Sequence, residues 1–462
     1  MQDTLHATAS PVYRQIYERT RHSILSGSLA PSARLPSARG LAAELGVARG
    51  TVDAAYALLL NEGLIEGRGA RGTFVTQVPA GGPAAMPSLS ATRRGREAEP
   101  YGLPFRLGLP ALDAFPRKLW SRLVSRAGRK APTLEDCFPD PAGLPRLRQE
   151  ISTYLALARG VVRAPDAVIV SAGFQGALGL VVHALLRQGG SVLLEDPGYF
   201  FTRDALLAAG MKAVPAAVDG EGMDVGGTRQ ASIRLAVVTP SHQSPLGVTM
   251  SLRRRLALLE WARREDAFIL EDDYDGEFRY ASAPIPALAS LDREGRVIYA
   301  GTFSKVFSPS LRIGYLAVPE RLVARLRKVA ASLAPAPSPI VQAALAEFMG
   351  QGHFTRHIRR MRALYAERRG ALAESLEQVF GDTLRLSLQA GGMHLIGWPN
   401  GRTSDGGLER RARRAGLGPK ALSAFSTAKA YPPGLLLGFC NIPAEQARET
   451  ALRLRDALAR KD

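Results

Sequence analysis

Cysteine is nearly absent: the 462 residues include two, Cys137 and Cys440. They lie far apart and carry no metal-ligand spacing, so neither a disulfide framework nor a zinc site is expected, and packing is the expected role of both. Long apolar runs are missing as well. Nothing approaches the length that spans a bilayer, and the opening MQDTLHATASPVYRQ lacks the basic start and apolar stretch of a signal peptide. A soluble, cytoplasmic protein is expected. Acids are scarce relative to bases, 42 against 60, giving a formal charge of +18. That balance favours a polyanionic partner, because each cation set on a phosphate releases counterions. Many of the arginines, however, fall in helical-looking runs such as RHIRRMRALYAERR and RRARR, which a solvated helix face explains without any partner.

Apolar residues are plentiful, 46% of the chain, and the length exceeds what one compact core organises, so a small domain plus a large one is expected. From Pro11 to about Ser26 the apolar positions Val12, Ile16, Ile24 and Leu25 recur at roughly helical spacing, and GSLAPSARLP breaks the pattern. Ser37 is a plausible N-cap for a second helix ending at Gly46. VARGTVDAAYALLLNEG then reads as a third helix closed at Gly63. Short helix, turn, longer helix is the helix-turn-helix arrangement, whose second member enters the major groove. LIEGRGARGTFV follows as two short strands around a basic glycine turn, the shape of a wing, with Arg68 and Arg71 at its tip in reach of phosphate or minor groove. The alternative for such a helix pair, a small protein-binding domain, accounts less well for the wing and its basic turn.

Residues 78–103 are rich in Pro, Gly, Ala and Ser without apolar period and read as a linker, a tether between two rigid domains. Beyond it, AVIVSAG, SVLLEDP, LAVVTP, FILEDDY and RVIYAGT each read as a buried strand, with helix-length segments between several of them. That alternation predicts an α/β domain with a mostly parallel sheet and a ligand site beyond the carboxyl ends of its strands. The motifs SAGFQGAL, EDPGYF, TPSHQSPLG, EDDYDG and GTFSK all fall at those ends.

Together they place the groups that a pyridoxal phosphate pocket needs. A lysine amine condenses with the cofactor aldehyde, an acid keeps the pyridine nitrogen protonated, and a hydroxyl and a guanidinium hold the phosphate. Lys305, Asp272, Thr302 and Arg312 suit those roles. Gly173, Phe174 and Gln175 open a helix whose amides can cradle the phosphate. Tyr199 offers a flat face for the ring. Tyr274 suits the phenolic oxygen, with Gln243 or Ser244 opposite. Asp272 as a helix cap or metal ligand is the competing reading, but only His242 offers a neighbouring donor, and no metal is expected.

The stretch LPSARGLAAELGVARGTVDAAYALLLNEGLIEGRGARGTFV resembles the winged helix-turn-helix of the GntR family. The resemblance implies DNA contacts from Arg39, Arg49, Thr51, Arg68 and Gly69. Ala48 stands where the family has a serine or threonine. The later motifs, with DPAGLPRLRQEISTYLALARGV and LRIGYL, resemble fold-type I aminotransferases. The joint architecture resembles the MocR subfamily of GntR-type regulators: residues 11–77 a winged head, 78–103 a linker, and 104–462 an aminotransferase-like effector domain with a smaller C-terminal lobe. The resemblance implies a head-to-tail homodimer that binds pyridoxal 5'-phosphate and double-stranded promoter DNA and answers to the cofactor or to a small amine.

Against the aminotransferase pattern, Leu436 takes the place of the arginine that clamps a substrate carboxylate. Phe201 stands where some relatives carry a second one, and Phe138 where a tyrosine reaches the phosphate. Apolar residues cannot hold a carboxylate, although Arg203 can supply a contact from a nearby turn. A pocket that keeps its anchor and loses its clamps predicts a sensor that is not an enzyme. The alternative is an active aminotransferase with a DNA-binding head.

Overall fold

In the computed structural model the described residues are 11–77, 102–131, 139–226, 233–280, 286–333, 336–401, 403–428 and 431–460. The linker, apart from residues 102 and 103, lies outside them, as do Cys137 and Phe138. The chain divides into two compact units, Met1–Glu99 and Pro100–Asp462.

The first unit is a winged helix-turn-helix. Its helices are α1 (Val12–Leu25), α2 (Ala38–Leu45) and α3 (Arg49–Asn61), followed by strands β1 (Ile65–Gly67) and β2 (Thr73–Val75). Ile16 and Ile24 of α1 are buried as the spacing predicts, but Val12 is 39% exposed and does not join the core. Ser37 caps α2 by accepting from the Gly40 amide at 3.1 Å, and Gly46 ends the helix in the left-handed region at φ 65°. Val52, Ala55, Tyr56 and Leu59 face inward from α3 and close a core with Leu35, Ile65 and Val75. The strands pair antiparallel, Ile65 opposite Val75 and Gly67 opposite Thr73, and the turn Gly69–Arg71 forms the wing tip.

The second unit is built on an eight-stranded sheet of order β3-β10-β9-β8-β7-β4-β5-β6. Its strands are β3 (Val168–Ser171), β4 (Ser191–Asp196), β5 (Lys212–Asp219), β6 (Gly222–Met223), β7 (Ile233–Val238), β8 (Phe268–Asp273), β9 (Val297–Thr302) and β10 (Gly314–Ala317). β5, β4, β7, β8 and β9 run parallel, while β10 runs antiparallel to both its neighbours. Alternate residues of the same strand feed opposite cores. Val168, Val170, Ala236, Ile269 and Tyr299 enter one, and Ile169, Leu235, Val237, Leu270 and Ile298 the other. Period-two alternation in strands apolar on both faces is what helices on both sides of a sheet require.

A smaller lobe follows the long helix His353–Phe380. Its antiparallel sheet has the order β11-β12-β14-β13, from β11 (Leu384–Ser387), β12 (His394–Pro399), β13 (Lys420–Ala421) and β14 (Leu435–Gly438). Strands β5, β6, β10 and those of the small sheet differ from the sequence reading. β5 escapes it because Pro215 and exposed alternate positions disguise a strand near the sheet edge. β10, β11, β13 and β14 are runs of two to four residues, too short to show a period, and β12, HLIGWP, is interrupted by glycine and ends on proline. Among the described residues no helix is long and apolar enough to cross a membrane.

Candidate functional site

Strand register builds the site. Gly314 at the start of β10 lies opposite Ser171 on one side and Thr302 on the other. This brings the turn at Gly173, the end of β9 and Arg312 together at one edge of the sheet. The approach is tight: a Cβ at Gly314 would come within 2.8 Å of the Gly173 carbonyl carbon. One strand further, Asp272 of β8 lies opposite Ala300, and beyond it the loops after β7 and β4 carry Ser244 and Tyr199.

Gly173 starts the helix Gly173–Leu185 with no side-chain cap, so the amides of Gly173, Phe174 and Gln175 are open to an anion at the positive end of the helix. Thr302 caps the short helix Phe303–Val306, accepting from the Ser304 amide at 3.2 Å. Arg312 is held in the left-handed region, at φ 51°, is exposed, and its guanidinium makes no hydrogen bond or ion pair among the described residues. A non-glycine residue in that region is strained, and such strain gathers at ligand sites.

Lys305 donates from Nζ to the Gly108 carbonyl at 3.1 Å. Gly108 has φ 66°, and a Cβ there would collide with the amine. Burial pulls the Lys305 amine below the ordinary lysine value, opposed by Asp275 and Asp272. More of it is therefore the free base, the form that attacks a carbonyl. Asp272 is 5% exposed, and its carboxyl has no hydrogen-bond partner among the described residues. Burial holds its carboxyl well above the usual range, with Asp273, Asp275 and Glu195 adding to the rise. A cationic ring nitrogen placed against it would restore the carboxylate. Tyr199 is pushed up to about 12 by burial and then by Asp272, with Arg312 pulling the other way, which sets all three within one electrostatic neighbourhood.

Tyr274 lies in a polar knot, its hydroxyl 2.9 Å from His242 Nδ1, which is also 2.9 Å from Asp275 Oδ2. Burial raises the phenol well above its ordinary value, followed by Asp275 and Asp272, so it stays protonated and can donate. Ser244 hydrogen-bonds Tyr274. Gln243, the other candidate, is hydrogen-bonded within the protein. Its amide nitrogen is committed to the Pro197 and Ser244 carbonyls at 2.8 Å each and to Glu195 at 3.3 Å, and its oxygen accepts from the Leu246 amide at 3.0 Å. The Gln243 side chain thus braces the loop, while Ser244 meets Tyr274, the residue suited to the phenolic oxygen. Gly108 and Asp275 escaped sequence reasoning, and His242 entered it only as a possible metal donor; Gly108 carries no motif and meets Lys305 across 197 residues.

Glu195 accepts from the Thr239 amide at 3.2 Å, from the Thr239 hydroxyl and from Gln243. Burial nevertheless raises its carboxyl from 4.5 to about 7. A raised acid adds stability that is complete below its unfolded value and is lost as pH climbs through the folded one. Glu195→Gln is therefore expected to gain on the wild type by about 1.4 kcal/mol per pH unit between 4.5 and 7 and to level off above. Denaturant titrations of both proteins across that range check it.

The clamp positions are apolar in space as in sequence. Leu436 is fully buried against Ile396, Leu422 and Phe425. Phe201 is 39% exposed, its ring 5.4 Å from that of Tyr199. Arg203 lines a cavity of about 220 Å3 shared with Tyr199, Thr202, Glu195 and Asp272.

In the head, Arg39 is exposed at the start of α2 and Arg49 at the start of α3, where it pairs with Asp53 at 3.3 Å. Thr51 is half-buried in the first turn of α3. Arg68 bends back onto Glu66 at 2.6 Å and lies over the Phe74 ring at 4.9 Å, while Gly69 and Arg71 are exposed at the wing tip. Ala48 has N-cap geometry, φ −66° and ψ 141°, with no side-chain cap. Ala48→Ser is expected to stabilise the head by about 1 kcal/mol, measurable as a shift in its denaturation midpoint.

Comparison with known proteins agrees with this geometry. Residues 12–75 match the model for bacterial regulatory proteins of the gntR family, and residues 126–405 that for aminotransferase class I and II. The chain is 38% identical to the probable rhizopine catabolism regulatory protein MocR of Rhizobium meliloti, over 97% of this chain and 94% of that one. It is 31% identical to the pyridoxine biosynthesis transcriptional regulator PdxR of Corynebacterium glutamicum, over 96% and 95%. Among solved structures it is similar to LysN, the alpha-aminoadipate aminotransferase of Thermus thermophilus complexed with N-(5'-phosphopyridoxyl)-L-leucine. That match has a TM-score of 0.70 and 27% identity, covering 78% of this chain and 92% of that one. With a gntR-type head and an aminotransferase-type body matched along nearly the whole length of such relatives, the chain belongs to the MocR-type regulators of the gntR family.

Proposed function

We propose that this regulator holds pyridoxal 5'-phosphate in its effector domain, and that occupancy of the pocket, or its reaction with a small amine, changes how the heads grip promoter DNA. The observation that carries the reading is a set of groups aimed at one place with no protein partner of their own. These are the buried Asp272 carboxyl, the strained Arg312 guanidinium and the uncapped helix start at Gly173, beside an amine that meets only the Gly108 carbonyl. When bound, the cofactor supplies an aldehyde that combines reversibly with primary amines. Lys305 anchors it, and Asp272 holds a proton at the ring nitrogen. Tyr274 and Ser244 donate to the phenolic oxygen, and Tyr199 covers one face of the ring. Thr302, Arg312 and the amides of Gly173, Phe174 and Gln175 take the phosphate.

In the head, Arg39, Arg49, Thr51, Arg68, Gly69 and Arg71 meet the DNA, α3 lying in the major groove and the wing on the backbone. A cytoplasmic homodimer presenting two heads to paired half-sites suits this mode of binding. A ligand shifts the DNA equilibrium only by its difference in affinity for the two states of the protein. Relatives named for rhizopine catabolism and pyridoxine biosynthesis accord with effectors of this chemistry.

Leu436 and Phe201 set sensing apart from turnover, because neither can clamp a carboxylate in the standard pose. The expected result with purified protein, an amino acid and a keto-acid acceptor is keto-acid formation below ordinary enzymatic rates, which run at about 1 to 1,000 per second. Turnover within that range would favour an aminotransferase carrying a DNA-binding head.

A further inference from the structure

The charge of the chain is in the wrong place for a protein that meets DNA through its head alone. Residues 11–77 hold eight arginines against five acids, so most of the net +18 lies elsewhere. Part of it is concentrated on one face of the effector domain. The helix Arg117–Lys130 turns Trp120, Leu123, Val124 and Ala127 inward, Trp120 packing on Phe307 and Phe348 at 5.1 and 6.5 Å between ring centroids. At 3.6 residues per turn, Lys118, Arg122 and Arg129 then share the opposite, exposed face. The first turns of the helix His353–Phe380 continue it. Phe354, His357, Ile358 and Met361 are buried, leaving Arg356, Arg359 and Arg360 outward. The two faces are linked through Phe348, on which Trp120 of the first helix and His353 of the second both pack, at 6.5 and 5.6 Å between ring centroids.

The side chains of five of these six cations, all but Arg356, make no hydrogen bond or ion pair among the described residues. The neighbouring Arg126 is neutralised by Glu347. A solvated helix face of the ordinary kind intersperses acids at i and i+4; here none stands between Lys118 and Lys130. We infer that this face of the effector domain is a second, sequence-independent binding surface for duplex DNA. From Lys118 to Arg129 the stripe runs about 17 Å along the helix, a length over which a duplex presents about ten phosphate charges. Like charge disfavours a second copy of the same face. Unpaired guanidinium groups on a rigid helix suit phosphate oxygens, which they bind by paired donors.

The test uses the full chain with its cofactor and a random-sequence duplex of about 60 base pairs, so that no operator need be known. In Arg122→Gln/Arg129→Gln/Arg359→Gln the slope of log affinity against log salt is expected to fall by about 2 to 3, at roughly 0.9 for each phosphate no longer neutralised. Affinity at low salt should drop at least about tenfold with it. A control with equal charge loss at exposed positions on other elements, Arg187→Gln/Lys212→Gln/Arg410→Gln, should keep the wild-type slope. Uptake of pyridoxal phosphate by each variant verifies the fold. Equal slopes for the triple variant and the wild type, or equal losses in both variants, would overturn the inference. So would an unchanged DNA slope with lost binding to phosphatidylserine vesicles, which would assign the face to an anionic membrane. Substituting Arg39 and Arg49 tests the head separately, so failure there and failure here are told apart.

Discussion

Lys305→Ala is expected to abolish covalent retention of pyridoxal phosphate and, with it, any effect of the cofactor on DNA binding. The amine is held by a single neutral acceptor, the Gly108 carbonyl at 3.1 Å. Burial lowers its proton affinity, so it is poised for attack and not locked in an ion pair. Gly108 matters for the same reason, since any side chain at that position would displace the amine. Borohydride treatment followed by intact-mass measurement should give one cofactor adduct per chain in the wild type and none in Lys305→Ala. An adduct of equal yield in the variant would place the anchor on another lysine. DNA binding by the variant without cofactor should match that of the cofactor-stripped wild type, because the head has its own core.

The second large effect belongs to that head. Arg39→Ala and Arg49→Ala should each weaken DNA binding by about 1 to 3 kcal/mol at fixed salt if they reach bases, which is roughly fivefold to more than a hundredfold. Both side chains are exposed at helix starts. Arg49 has only Asp53 to leave, across an exposed pair at 3.3 Å, and such pairs contribute little. Arg68 must first separate from Glu66 and the Phe74 ring, so its substitution should cost less. Fluorescence anisotropy with a promoter fragment measures each. A loss spread evenly over specific and random DNA would mark a residue as a phosphate contact, and a loss confined to the specific site would mark a base reader.

Much of this was legible in the sequence because local chemistry fixes it. Ser37 and Gly46 bracket α2 by cap chemistry that any isolated helix obeys, and the missing hydroxyl at Ala48 shows as an uncapped helix start. The five strands read from the sequence, β3, β4, β7, β8 and β9, are apolar on both faces, a pattern that survives without knowledge of neighbours. What depends on neighbours was hidden. Gln243 and Ser244 are adjacent in the chain, and only the fold turns one toward Glu195 and the Pro197 carbonyl and the other toward Tyr274. Val12 obeys a helical period yet faces out, since period alone does not say where the core is. Gly108 and His242 acquire meaning only when distant loops arrive, one beneath Lys305 and the other between Tyr274 and Asp275. The basic helix faces appeared as charge runs in the sequence, and their proximity rests on Trp120 and His353 packing on the same Phe348.

The most direct test of the central claim is the affinity of cofactor-stripped protein for the DNA upstream of its own gene, at fixed salt, with and without added pyridoxal phosphate. A change in affinity or stoichiometry on adding the cofactor, absent in Lys305→Ala, is the predicted result. Equal binding with and without cofactor, and with every amine that reacts with it, would contradict the account.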